Sequence, residues 1–135
     1  MEARFLLDTN ICIYIRQQRP EKVLLRFRKL RPGEAVLSVI TFGELLYGAA
    51  KSAHRREAKE RLRELVHLLP AMPLPADAAE RYGAMRAELE SKGEMIGNND
   101  LWIAAHALAA GLTLVTNNER EFRRVRGLKV RNWAA

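Results

Sequence analysis

Three carboxylates stand where an apolar run meets a turn or a helix start. Asp8 directly follows Phe5-Leu6-Leu7, Glu44 comes shortly after Ala35-Val36-Leu37, and Asp100 heads the run Leu101 to Leu108. A fourth polar group, Asn117-Asn118-Glu119 with Glu121, follows Leu112 to Thr116. Acids gathered in one place repel one another and do not all ionise without a counter-charge. A divalent cation supplies that charge, and hard oxygen donors with few histidines suit Mg²⁺ or Mn²⁺ rather than zinc. His54, His67 and His106 show no metal-ligand spacing, and His106 is expected to be a buried helix residue. The single cysteine, Cys12, excludes a disulfide framework within one chain and argues against a structural zinc site of cysteine type. Each acid also has a plainer role. Asp8 would cap the next helix, Glu44 would complete a capping box with Thr41, and Asp100 would answer a helix dipole. Against the plain roles, Asp100 begins a helix that is apolar nearly all round, and an acid beside a core is costly unless paired, hydrogen-bonded or metal-bound.

The elements that must carry these acids follow from periodicity. Phe5-Leu6-Leu7 is expected to be a strand buried on both faces. A short buried helix over Ile11 to Ile15, capped by Thr9 or Asn10, follows it. Pro20 suits the first turn of a second helix, with Val23, Phe27 and Leu30 at helical spacing, ended by Pro32-Gly33. Ala35-Val36-Leu37 is a second strand, and Thr41 is expected to start the helix that holds Glu44. Arg55 to Leu69 is an amphipathic helix with Ala58, Leu62, Leu65 and Leu69 on one side. The prolines at 70, 73 and 75 allow only a short edge strand or a connector. Asp77 opens a helix with Ala78, Tyr82, Met85 and Leu89 inward, closed by Gly93. Gly97-Asn98-Asn99-Asp100 leads into the apolar helix, which Gly111 terminates. Leu112 to Thr116 is the clearest strand, Glu119 to Val125 a short helix, and Lys129 to Arg131 a last strand.

That alternation predicts an α/β fold, a three-layer α/β/α sandwich around a central parallel sheet, in one domain over residues 1–135. In such sheets sites lie beyond the carboxyl ends of the strands, so all the acids would share one edge. The chain is 48% hydrophobic with a formal net charge of +7, which points to a polyanionic partner. Between Arg16 and Arg31 seven bases face one acid, Glu21. No stretch reaches the roughly 18 apolar residues of a membrane span, so no membrane association and a cytoplasmic location are expected.

With these residues in view, the sequence resembles the PIN-domain ribonucleases, and among them the VapC toxins of toxin–antitoxin pairs. The stretches that carry the resemblance are Leu7-Asp8-Thr9-Asn10, Ser38 to Gly48 (SVITFGELLYG), Ile96 to Ala107 (IGNNDLWIAAHA), Leu114 to Phe122 (LVTNNEREF) and Trp133. It implies a metal-dependent endoribonuclease that hydrolyses RNA phosphodiesters, in transfer or ribosomal RNA, with Asp8, Glu44 and Asp100 as catalytic and metal-holding acids. A fourth acidic position is often aspartate in the family; here Asn118 occupies it, with Glu121 close by. Thr9, Asn10, Thr116 and Asn117 would orient the carboxylates by hydrogen bonds. Arg16, Arg19, Lys22, Arg26, Arg123 and Arg124 would bind the RNA backbone. The resemblance further implies a cognate VapB antitoxin, a toxin homodimer within the toxin–antitoxin complex, and promoter DNA reached only through the antitoxin.

Two other readings of the same residues remain open at the level of sequence. A basic module that binds RNA or an acidic partner without turnover is supported by the amide at Asn118. A phosphoacceptor domain would also place an aspartate at a strand end, but the turn after Thr116 offers asparagines where such a domain needs a lysine.

Overall fold

The computed structural model describes residues 2–135. Five short strands, β1 (Phe5–Leu7), β2 (Ala35–Ser38), β3 (Ala71–Met72), β4 (Thr113–Val115) and β5 (Val130–Arg131), form one sheet in the order β3-β2-β1-β4-β5. All four pairings are parallel. In the central strand, Leu6 pairs with Val36 on one side and Leu114 on the other, and Leu7 lies opposite Val115. Leu6 and Leu7 are both fully buried, as a middle strand with helices on both faces requires.

Period-two alternation sorts these strands into two cores. Leu6, Val36 and Leu114 face α5 (Ala78–Ser91), α6 (Asn98–Ala110) and Phe122 of α7 (Glu119–Phe122). Leu7, Ala35, Leu37 and Val115 face α1 (Thr9–Gln17), α2 (Glu21–Arg28) and α4 (Arg55–Leu68). Helix α3 (Val39–Ala50) spans the two, with Ile40 against the first core and Leu45 in the second. The result is the expected α/β/α sandwich. Trp133 closes the second core with its ring edge-on to Phe5 at 5.5 Å.

Most expected elements form within a residue or two of their predicted bounds, and the proline-rich stretch does yield the edge strand β3. Helix α6 is buried along Leu101, Ile103 and the run to Ala107, and it stops at Gly111, whose φ of +68° suits a residue without a side chain. Two helix starts needed the structure to decide them. Helix α1 is capped by Asp8, the plain role open to that residue, whose Oδ1 accepts from Ile11 N at 3.1 Å, so neither Thr9 nor Asn10 is the cap. Helix α3 begins at Val39 with Ser38 as its cap, because Ser38 Oγ accepts from Ile40 N at 3.1 Å and Thr41 is already inside the helix. The capping-box role for Glu44 is therefore excluded: it lies in the second turn, where its carboxylate is not needed by orphan amides. Helix α2 also stops early, at Arg28, before Pro32-Gly33.

Candidate active site

The chain reverses direction across the sheet at β1, with β2 on one flank and β4 on the other. The crevice beyond the carboxyl ends of β1 and β4 is the place where such sheets bind ligands. Asp8 stands there as the first residue after β1, only 6% exposed. Its backbone N–H donates to Val115 O at 3.0 Å, which ties it to β4. Its Oδ2 accepts from the Thr116 hydroxyl, and its Oδ1 from Ile11 N. Asp8 thus caps a helix and faces the crevice at once.

Glu44 reaches the same rim from α3. Its Oε1 accepts from Thr9 Oγ1 at 2.6 Å and its Oε2 from Asn99 Nδ2 at 3.4 Å. Because Thr9 adjoins Asp8 and Asn99 adjoins Asp100, these two bonds join the three acid-bearing segments. Asp100 sits in the first turn of α6, third in the helix rather than its opener, with Gly97 at the cap position. Its Oδ2 lies 3.5 Å from where a side chain on Gly97 would begin, an ordinary contact distance that places the carboxylate against the cap residue of its own helix.

Electrostatics show that the acids share one space. Burial pushes the Asp100 carboxyl up to about 6, and the charges of Asp8, Glu44 and Glu121 push the same way. Burial also holds Asp8 above its ordinary value, against the pull of the bonds from Thr116 and Ile11 and with Glu44 adding to the rise. Among the described residues, no lysine or arginine makes an ion pair with Asp8, Glu44 or Asp100. Nor do any three acidic, histidine or cysteine side chains among them stand close enough together to hold a metal ion as they are placed. Asp8 and Glu44 each accept two hydrogen bonds, half the capacity of a carboxylate, and keep lone pairs free for a further ligand. An all-oxygen, uncompensated donor set of this kind suits a hard divalent cation.

The remaining candidates divide. Glu121 is near enough to Asp100 to raise its pKa. Asn118 stands at the start of α7, its backbone N–H donating to Thr116 Oγ1 at 2.9 Å. The side chains of Asn10 and Asn117 bond to no carboxylate; Asn10 Nδ2 donates to Asn117 Oδ1 at 3.4 Å and Asn117 Nδ2 to the Tyr14 hydroxyl at 2.8 Å, while Asn10 acts on Asp8 through its backbone N–H. Of the basic residues, Arg123 is paired with Glu119 at 2.8 Å, and Arg124 donates to the carbonyls of Glu94 and Met95. Arg16, Arg19, Lys22 and Arg26 have no acidic partner among the described residues. Sequence reasoning missed Asn99, although it adjoins Asp100 in the quoted motif. It also missed the buried pair Ser38 Oγ and His106 Nδ1, 2.9 Å apart, whose members lie 68 residues apart in the chain.

The PIN domain family matches residues 5–128. The chain is 41% identical over 130 residues to Ribonuclease VapC2 of Haemophilus influenzae, a match that covers 96% of this chain and 98% of that protein. It is 40% identical over 131 residues to the tRNA(fMet)-specific endonuclease VapC of Shigella flexneri, covering 97% and 98%. The crystal structure of VapBC2 from Rickettsia felis bound to a DNA fragment from their promoter superposes with a TM-score of 0.89 at 38% identity, covering 98% of this chain and 99% of that one. A crevice of uncompensated acids at a parallel-sheet switch point, on a fold and sequence shared over nearly the full length with these proteins, places the chain in the PIN-domain family, among the VapC ribonucleases.

Proposed function

We propose that this chain is the toxin of a toxin–antitoxin pair, acting as a Mg²⁺-dependent endoribonuclease on transfer RNA and held in check by a VapB antitoxin. The observation that carries the proposal is the mutual placement of Asp8, Glu44 and Asp100, three acids from separate segments: the charge of Glu44 acts on Asp8, those of Asp8 and Glu44 act on Asp100, and among the described residues no cationic side chain pairs with any of them. The tRNA(fMet)-specific names of the relatives from Shigella flexneri and Salmonella typhimurium favour transfer RNA over ribosomal RNA as substrate.

In this reading Asp8, Asp100 and Glu44 hold the ion, Glu121 serves as the fourth acid, and Mn²⁺ substitutes for Mg²⁺. Held by these acids, such an ion would supply positive charge at the phosphate and lower the pKa of a bound water. The protein supplies orientation. Thr116 and Ile11 N fix the two oxygens of Asp8, and Thr9 and Asn99 fix those of Glu44. Bonds of this kind set the direction in which carboxylate lone pairs point at a ligand.

The test is cleavage of a transfer RNA transcript by the purified chain with Mg²⁺ or Mn²⁺, and its loss in Asp8→Asn. Asparagine is as good a helix cap as aspartate, so this variant removes charge without removing the cap on α1. Unchanged cleavage by Asp8→Asn refutes the site. Salt-dependent RNA binding with no metal-dependent cleavage would instead support the binding-module reading, to which the amide of Asn118 lends weight.

Solved relatives include VapBC2 of Rickettsia felis bound to a DNA fragment from their promoter and a DNA-bound VapBC of Salmonella typhimurium, which supports a VapB partner; in this reading DNA is reached only through that partner. An apolar cavity of about 300 Å³ lined by Leu24, Phe27, Leu30 and Leu68 suits an apolar helix of that partner. Val39, Leu46 and Tyr47 are exposed along one side of α3, the i, i+7, i+8 spacing of a helix face, and support a homodimer through that face. Leu46→Glu should convert a dimer to a monomer in light scattering; a dimer that persists places the contact elsewhere.

A further inference from the structure

Beside the acid crevice runs a groove of about 510 Å³ between α1, α3 and α4. Thr9 and Glu44 are among its lining residues, so the groove adjoins the crevice. Arg16 of α1 and Arg61 of α4 line it from different helices. Neither guanidinium has a carboxylate partner among the described residues. On the same helix as Arg61, Arg63 is paired with Glu60. The rest of the lining mixes small and apolar residues, Leu45, Gly48 and Ala49 of α3 among them, with polar ones such as Gln17 and Ser52; a Cβ placed on Gly48 would meet nothing within 4 Å.

We propose that this groove is an RNA subsite that holds the nucleotide next to the scissile bond, with Arg16 and Arg61 clamping its flanking phosphates from the two helices. The inference rests on the nuclease reading above and adds the path of the substrate to it. Charge complementarity selects the occupant. Two guanidiniums that line one groove, neither with a carboxylate partner among the described residues, match a phosphodiester backbone, which guanidinium binds by paired N–H donors. The small residues Gly48 and Ala49 in the lining leave room for a sugar and base. Glu44 lines the same groove, so a strand held by the two arginines lies beside the acids. Arg61 carried no signal in the sequence, because it sits in a helix of alternating charge; only the packing of α4 against α3 turns it towards the groove.

The experiment uses the full chain and a transfer RNA transcript as probe, with steady-state cleavage in Mn²⁺ and equilibrium binding in EDTA over a range of salt. Arg16→Ala/Arg61→Ala should raise KM about tenfold or more with kcat within about twofold, and should lower the slope of log K against log salt by about two, one for each phosphate no longer neutralised. Gly48→Leu, which fills the groove without changing charge, should raise KM in the same way. Arg16→Lys/Arg61→Lys should recover part of the affinity, while Arg56→Ala, on the same helix outside the groove, should leave both quantities unchanged. An unchanged KM and salt slope in the double alanine variant overturn the proposal, as does a fall in kcat alone. Normal RNA handling combined with weakened binding of an acidic partner protein also overturns it and assigns the groove to that partner. If the parent chain fails to cleave but its binding slope still falls by about two in the variant, the nuclease reading fails and the RNA groove stands.

Discussion

Thr116 donates its hydroxyl hydrogen to Asp8 across the seam between β4 and β1, joining residues 108 positions apart. The same Thr116 oxygen accepts from Asn118 N at 2.9 Å. One fully buried hydroxyl thus aims the central acid and holds the turn that follows the last long strand. Thr116→Val keeps the shape and removes both bonds. Cleavage should fall by roughly 10 to 100-fold, the usual effect of losing a partner that orients a ligand side chain. Stability should fall by about 1–3 kcal/mol, because Asn118 N and an Asp8 oxygen lose their partner. Activity and denaturant midpoint measured together check the pair of effects.

Asp100 makes the stability of the metal-free protein pH-dependent. Its folded pKa of about 6 lies above the ordinary carboxylate value of 3.8, so folding favours its protonated form. That contribution is fully present below pH 4 and is lost as pH rises through 6. In EDTA, the wild type should lose stability from this group between pH 4 and 7, and Asp100→Asn should remove that part of the slope. Solvent screening at this partly open site limits the effect to on the order of 1 kcal/mol, a few degrees in Tm. Adding Mg²⁺ at pH 7.5 should raise Tm in the wild type and much less in Asp100→Asn. Thermal scans of the two proteins with and without the ion decide it.

Glu121, rather than Asn118, is expected to complete the donor set, because its charge already acts on Asp100. Glu121→Gln should weaken Mn²⁺ binding by about 10-fold, and Asn118→Ala by less than about 3-fold, on the scale of lost ligand-set partners. Isothermal titration with Mn²⁺ measures both. A larger loss in Asn118→Ala would reverse the assignment.

Ser38 supports Glu44 from beneath. It caps α3 through Ile40 N and meets His106 Nδ1 at 2.9 Å, while burial lowers the pKa of His106 and keeps it neutral. Ser38→Ala should cost about 1–3 kcal/mol through the lost cap and the unpartnered imidazole. His106→Gln, which retains a hydrogen-bonding side chain, should cost less. Urea unfolding of both variants tests the order.

The spacing of apolar residues settles a good deal without coordinates. Phe5-Leu6-Leu7, Ala35-Val36-Leu37 and Leu112 to Thr116 mark buried parallel strands, and their alternation with helical runs determines the layers, because period two and period 3.6 are local properties of the chain. An acid after a strand end is legible for the same reason: the carboxyl edge of a parallel sheet is set by topology alone. The choice of Asp8 over Thr9 and Asn10 as cap, and of Ser38 over Thr41, was not legible. Several adjacent polar residues could serve as caps, and the choice depends on where the preceding strand stops pairing. Nor could the sequence rank the partners of each acid. Thr9 and Asn99 meet Glu44, while Asn10 and Asn117 turn to each other, and these outcomes depend on how α1, α3 and α6 pack. Residue types and local periodicity determined which groups arrive at the rim. Long-range packing alone decided which of them touch, which stay uncompensated, and that Arg16 and Arg61 face one groove.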